Sequence, residues 1–539
     1  FGAPVMPCAA EGIDFPREPG RGDLAVTTAL RLGKLAGKPP REVGGAIAKK
    51  ILADPDGSRL FSRADVAGPG FVNLSFSPAA IAGILLKIRS EADRFGRTFA
   101  GEGRRVLLEF ASANPTGPLH VAHGRQAAVG DVLANILDGA GFAVTREYYL
   151  NDCGNQVEML GLSILARMRE SKGRPGTFPE NGYQGDYVKR LAEESLAAEG
   201  ERWLDAPEKD AVAALSAHGV ETLLGEIRRD LDRFRVRFDS WFSQKTLEES
   251  GAPGRLVDDL RAKNLVVEED GAVLMRTTAL GDEKDRVLVK RDGAFAYRTP
   301  DLSYHLDKFR RGYERVVDLF GPDHHGHILF LKQALSGMGE DASRLEPHLV
   351  QHCRLIQNGV EVKMSKRTGS FVTLDEIMDE VGVDAARFFF VMRRMDSHLD
   401  FDLDVAKKQS VDNPVYYVQY THARICQIFA KAAERGFSGE APLDADLSAL
   451  GPDEFWLVSV LSRFPWIVRR AAETLEPHRI PAYLLDVAAA FHAYYQKPEN
   501  TVLHDDARIR GARLAVADGV RTVIRNGLSI LGLTAPEKM

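Results

Sequence analysis

The stretch Ala113-Asn-Pro-Thr-Gly-Pro-Leu-His-Val-Ala-His-Gly-Arg125 constrains this chain more than any other. An apolar run before it, Val106-Leu-Leu-Glu-Phe110, reads as a buried strand. After it, Val129, Val132, Leu133, Ile136 and Leu137 recur at the i, i+3, i+4 spacing of a helix. His120 and His123 therefore fall where a strand turns into a helix, and their spacing puts both on one side of its first turn. Backbone donors and the positive dipole end of a helix start suit a phosphate. Pro115, Gly117 and Pro118 shape the turn. A metal pair or two surface histidines is the plainer alternative. Far downstream, Val362-Lys-Met-Ser-Lys-Arg-Thr-Gly369 packs three cations into one loop. Such a loop can close over a triphosphate and neutralise developing charge; the plainer alternative is a solvated basic loop.

At 539 residues the chain is too long for one core, and about three domains are expected. The first, 1–99, mixes short helices and strands, with Phe71 to Ser77 alternating like a half-buried strand. In the second, 100–395, strands alternate with helices as in a parallel α/β sheet, interrupted by a stretch up to Tyr187 that reads as an exposed insertion. Phe142 to Leu150 is its second strand, Val212 to Leu231 a long amphipathic helix, and Val316 to Phe320 a buried strand. The third, 396–539, has no strand pattern and reads as a helical bundle, with helices over 414–435, 453–475, 483–495 and 506–531.

Composition excludes several classes. No apolar run reaches the roughly 18 residues of a membrane span, and Phe1-Gly-Ala-Pro begins no signal peptide pattern. Four scattered cysteines with no C-x-x-C pair support neither a disulfide framework nor a zinc knuckle, so a cytoplasmic protein without a structural metal is expected. The net charge of -6 neither advertises nor excludes a nucleic-acid partner.

The histidine segment and the lysine loop together resemble the two signatures of class I aminoacyl-tRNA synthetases. Glu109-Phe-Ala-Ser-Ala-Asn114 and Tyr297-Arg-Thr-Pro-Asp301 resemble the arginyl branch specifically, and Gly182-Tyr-Gln-Gly-Asp-Tyr187 fits an element of its insertion. The resemblance spans nearly the whole chain. It implies a Rossmann-type catalytic domain with an insertion, an α+β N-terminal domain and an all-α anticodon domain. It implies activation of L-arginine by ATP with Mg2+, the metal held mainly by phosphates and water, then transfer to tRNA(Arg), by an enzyme expected to be a monomer.

Site roles come from the same resemblance. His120, His123, Lys363 and Lys366 would be catalytic; Lys366, the second signature lysine, is often replaced in the arginyl branch. Pro115, Gly117, Pro118, Ala122, Met364 and Ser365 would bind ATP. Ala122 departs from the glycine of the family pattern, which bears on ATP affinity. Asn114 would hold the substrate backbone, and Glu109, Tyr297 and Asp301 would surround its amino group and guanidinium. The physics agrees, since a guanidinium presents fixed, permanently charged donors that call for carboxylates. For Glu109 a strand-end salt bridge, and for Tyr297 core packing, are the plainer alternatives. His324 would replace a glutamine near the arginine; with Asp323, His325 and His327 it also admits a metal reading.

Two patches point to tRNA. Tyr417, Tyr420 and Arg424 share a helix face at i, i+3 and i+7, as stacking on unpaired bases requires. The resemblance sets this face, with Met539 nearby, against the anticodon loop; an aromatic core stripe is the alternative. Phe71 and Asn73 resemble a pair that contacts the D-loop, and an alternating strand puts both on one face. Three rival functions remain: a cysteinyl synthetase, disfavoured by the missing zinc cysteines; a small adenylate-forming ligase, disfavoured by the helical tail; and a non-catalytic tRNA-binding paralogue, disfavoured by intact His120, His123 and Lys366.

Overall fold

The computed structural model describes residues 12–16, 20–362, 372–437, 441–442 and 445–539. At its centre lies a five-stranded sheet in the order Leu345–Leu349, Arg315–Phe320, Arg105–Glu109, Ala143–Leu150, Ser240–Ser243, with every pairing parallel. Val106, Leu107 and Leu108 are completely buried, which explains an apolar run without alternation: the strand is covered on both faces. The helix Val121–Gly139 comes next and lies tightly on it. A Cβ added at Gly130 would come within 2.1 Å of the Phe110 ring, so glycine permits this approach. The strand order reverses between Arg105–Glu109 and Arg315–Phe320, and the crevice beyond their carboxyl ends is where doubly wound sheets bind ligands.

Three features depart from the sequence expectation. A separate antiparallel sheet, Val266–Glu269, Ala272–Met275 and Arg286–Val289, interrupts the parallel alternation. Its four-residue strands are too short to show a period. The strand Leu399–Asp402 stands inside the block read as all helix, paired parallel with Cys353–Gln357. The helix expected over 453–475 is two, Pro452–Ser462 and Phe464–Thr474, because Pro465 sits in the first turn of the second.

In the N-terminal domain, Phe71–Phe76 is an inner strand of a four-stranded antiparallel sheet. Val72 and Leu74 are buried, while Phe71 and Asn73 lie on the partly open face, as alternation requires. The C-terminal helices pack against the catalytic domain. Buried Arg387 donates to the carbonyls of Leu531 (2.9 Å) and Phe234 (2.8 Å) and pairs with Asp131 of the Val121–Gly139 helix. Among the described residues no helix is long and apolar enough to cross a membrane.

Candidate active site

After Glu109 the backbone takes a strained turn: Ala111 (φ 64°) and Ser112 (φ 38°) both adopt left-handed conformations without being glycine. Ser112 Oγ donates to Glu109 Oε1 (3.0 Å) and accepts from the Tyr149 amide (3.1 Å), which fixes the turn. The chain then runs through buried Pro115 and Thr116 to His120, which caps the Val121–Gly139 helix. The His120 and His123 rings stack with centroids 3.7 Å apart. The His120 amide donates to His123 Nδ1 (3.3 Å), so a neutral His123 carries its proton on Nε2.

A cavity of about 730 Å³ opens here. Asn114, Thr116, Gly117, Pro118, His120 and His123 form one wall; Gln156, Glu180 to Gly185 and Tyr187 form the other. Its volume is that of a small-molecule site. Apart from Gln156, the second wall comes from the stretch read as an exposed insertion, and that reading is corrected in part. Residues 171–173 are exposed, but the Tyr187 hydroxyl donates to the Thr116 carbonyl (2.8 Å) and ties the insertion to the histidine turn. Asn114 donates to Gln156 Oε1 (2.6 Å) across the same gap. Ala122 is partly exposed in the first helical turn.

Lys363, Met364, Ser365 and Lys366 lie outside the described residues. Just after that loop, the Leu374 amide donates to the Leu119 carbonyl (2.8 Å), and Thr373 bridges His120 in antiparallel fashion. The chain leaving the lysine segment thus returns to the histidine turn.

Of the residues expected to bind arginine only Asn114 lines this cavity; Glu109 and Asp301 belong to a dense buried charge cluster. Register sets Asp318, Glu109 and Glu147 side by side on three adjacent parallel strands. Like charges in this arrangement repel unless cations intervene. The helix Arg298–Arg310 and the residue after it supply them. Lys308, fully buried, donates to Glu109 Oε2 (2.5 Å) and Asp318 Oδ1 (2.8 Å). Arg311 clamps Glu147 at 2.6 and 2.8 Å, and the Tyr304 hydroxyl donates to the same carboxylate (2.7 Å). Burial lifts Glu109 above the ordinary carboxylate value, with Lys308 opposing. For Glu147 the outcome is opposite: burial would raise it, but Arg311, Lys308 and Tyr304 together outweigh burial and it is lowered.

Asp301, on the same helix, is buried and pairs with His327 Nε2. Burial would raise its pKa, but His305, His327 and Lys308 hold it down to about 2. Tyr297 sits one turn earlier, 56% exposed, its ring 5.5 Å from that of His327. His324 stacks on Phe320 at 5.5 Å, and burial, with His327 nearby, lowers its pKa. His327 is committed to Asp301. Among the described residues no group of three His, Cys, Asp or Glu side chains could hold a metal ion; the His325 side chain is outside them.

The chain matches three family models: the arginyl tRNA synthetase N-terminal domain over 8–76, the catalytic domain of class I (R) tRNA synthetases over 87–425, and the DALR anticodon binding domain over 418–539. It belongs to the arginyl-tRNA synthetase family. The arginine–tRNA ligase of Syntrophotalea carbinolica is 46% identical, the match covering 98% of this chain and 94% of that one. That of Solidesulfovibrio magneticus is 45% identical over 98% and 95%. A putative arginyl-tRNA synthetase structure from Campylobacter jejuni shares 33% identity and a TM-score of 0.79, over 86% of this chain and all of that one. The Thermus thermophilus arginyl-tRNA synthetase, at 23% identity, shares the fold (TM-score 0.77) over 99% and 98%.

In the helical domain, the helix Pro414–Glu434 presents the expected aromatic face. Arg424 lies over the rings of Tyr420 (5.0 Å) and Tyr495 (5.2 Å). Tyr417 and Tyr420 stack on His492 at 4.9 and 6.2 Å, and Tyr416 on Tyr420 at 6.0 Å. All three tyrosines are partly exposed, so the face is neither a core stripe nor loose surface. Met539 is 45% exposed, and the tail before it is held by His422, whose Nδ1 bonds the Pro536 carbonyl (2.9 Å). Sequence reading missed Lys308, His305, Asp318, Arg311 and Tyr187 as parts of the site. The spacing of His305 and Lys308 from Asp301, four and seven residues, was the available signal: all three share one helix face.

Proposed function

We propose that the chain activates L-arginine with ATP and transfers it to tRNA(Arg), releasing AMP and pyrophosphate. The observation that carries this reading is the stacked His120–His123 cap at the helix start, with the buried carboxylates Glu109 and Asp301 on the strand before it and on the helix Arg298–Arg310. The arginine carboxylate attacks the α-phosphate in line and pyrophosphate leaves. Positioning and charge stabilisation do most of the work. His123 Nε2–H and His120 donate where charge develops on the phosphates. Lys363 and Lys366 are assigned to the same triphosphate, with Met364, Ser365 and Ala122 against the nucleotide. Asn114 holds the substrate backbone; Glu109, Asp301 and Tyr297 face the amino and guanidinium groups, with His324 at the rim. Mg2+ enters with ATP on phosphate and water ligands.

Tyr417, Tyr420, Arg424 and Met539 meet the anticodon loop, and Phe71 and Asn73 the D-loop. Domains 1–99, 100–395 and 396–539 divide these tasks in a cytoplasmic monomer. Arginine activation is expected to need tRNA, which can favour an active arrangement only by binding it more tightly. Aminoacylation of total tRNA with each amino acid in turn tests the reading: charging with arginine alone is expected, and charging with another residue, or none by folded protein, refutes it.

A further inference from the structure

The two carboxylates assigned to the substrate are joined behind the pocket by a continuous polar chain. Glu109 Oε2 accepts from Lys308 (2.5 Å), which also donates to Asp318 Oδ1 (2.8 Å). Asp318 Oδ2 lies 2.9 Å from His305 Nε2, and His305 Nδ1 lies 2.8 Å from the Asp301 carbonyl and 3.5 Å from Asp301 Oδ1. His305 is 1% exposed, so water cannot complete its bonding.

Both ring nitrogens of His305 thus face acceptors. A backbone carbonyl cannot donate, so Nδ1 must carry a proton. Asp318 already accepts an ammonium on its other oxygen, which favours its ionised form, so Nε2 must carry one too. We propose that His305 is a buried imidazolium and a positioning residue, which holds Asp301 ionised and aimed at the substrate cation and, through Asp318 and Lys308, fixes Glu109 in the same frame. This role rests on the assignment of Glu109 and Asp301 to the arginine pocket.

The surroundings fit. Around His305 stand Asp301, Tyr304 and Lys308 from its own helix, Asp318 from the neighbouring strand, Glu109 behind Lys308, and His327 behind Asp301. Burial and Lys308 both disfavour a charged imidazole, but Asp301 and Asp318 outweigh them and hold His305 above its ordinary value.

The test begins with the full-length protein carrying 15N-labelled histidine, with the His305 signals assigned by their loss in His305→Gln. Both ring nitrogens should report as protonated and stay so from pH 6 to 8. A His305 ring with a single proton in that range overturns the proposal, whether or not the variant folds. Kinetics test the positioning role. In His305→Gln the arginine KM, read by pyrophosphate exchange with tRNA present, should rise about 10- to 100-fold, the scale of a charge-assisted hydrogen bond. Turnover should move little, and the acid limb of kcat/KM should shift to higher pH as Asp301 loses its neighbouring charge. A folded His305→Gln with unchanged KM and acid limb overturns the role. Asp301→Asn separates the two readings: if arginine KM is unmoved there as well, the pocket assignment falls and takes the role with it, whereas an effect at Asp301 without one at His305 sinks the role alone.

Discussion

The buried carboxylate cluster, proposed above as the arginine pocket, and the aromatic face of the helical domain are built on opposite principles. In the pocket, Lys308, Asp318 and Glu147 are removed from water and every charge has a partner within hydrogen-bond reach. On the aromatic face, Tyr416, Tyr417 and Tyr420 are half-open, and their contacts are stacking and cation–π contacts at 4.9 to 6.2 Å. A small cation that must be told from its analogues demands the first kind of site, since an unmatched buried carboxylate is expensive. A flexible RNA loop suits the second, because stacking tolerates adjustment and each ring contributes modestly. Damage to the pocket should therefore be severe and confined to arginine, whereas damage to the aromatic face should be graded and confined to tRNA.

The largest effect is expected from Asp301→Asn. Breaking one partner of a buried charged pair costs about 3–5 kcal/mol, or roughly 10²- to 10⁴-fold in arginine KM. Calorimetry showing unchanged arginine affinity would remove Asp301 from the pocket. Next is His123→Ala, which should slow activation about 10²- to 10³-fold while arginine binding persists, as for loss of one charge-stabilising donor. Near-normal turnover in steady-state kinetics would sink that role. On the other side of the comparison, Tyr420→Ala should raise the tRNA KM by about 5- to 100-fold, from a stacking contribution of about 1–3 kcal/mol, with arginine KM untouched. A change in arginine KM alone would break the division of labour.

The smallest effect concerns a carboxylate that lacks the pocket's compensation. Burial, then Asp375 and Glu226, push Asp230 up to about 6. Its folded value exceeds the unfolded one, so stability falls as pH rises from about 4 to 6 and the penalty persists above. Asp230→Asn should therefore stabilise the protein at pH 8 by about 1 kcal/mol, discounted for partial exposure, and give nothing at pH 4. Melting curves at the two pH values decide it; an equal gain at both would assign the effect to something other than charge.

The two regions also differ in how far the sequence disclosed them. The strand, turn and helix around His120 were legible because period and punctuation agree there: an apolar run interrupted only by Glu109, two prolines and a glycine, then a 3.6-residue stripe. The shared face of Tyr417, Tyr420 and Arg424 was legible by spacing, and that of Phe71 and Asn73 by alternation, whereas their proposed roles at tRNA rest on the resemblance. The cluster behind the pocket was not. Asp318 reads as a lone acid in a strand, and Lys308 as a routine last-turn cation; only the register of three strands reveals that Glu109, Asp318 and Glu147 need it. The insertion's tie to the histidine turn was hidden for a related reason. Polar, proline-bearing sequence looks like open loop until Tyr187 is seen bonded to Thr116. Short strands such as Leu399–Asp402 carry too few residues for any period.

The central claim is that buried carboxylates select the charged side chain of arginine. Citrulline tests it most directly, because it keeps the shape of arginine and lacks the charge. Exchange of labelled pyrophosphate into ATP should be measured with tRNA present, once with arginine and once with citrulline at the same concentration. The account predicts exchange with arginine and a rate lower by about 10⁴-fold or more with citrulline, the discrimination typical of a hydrogen-bonding pocket left unpaired. Comparable exchange with the two amino acids would contradict it.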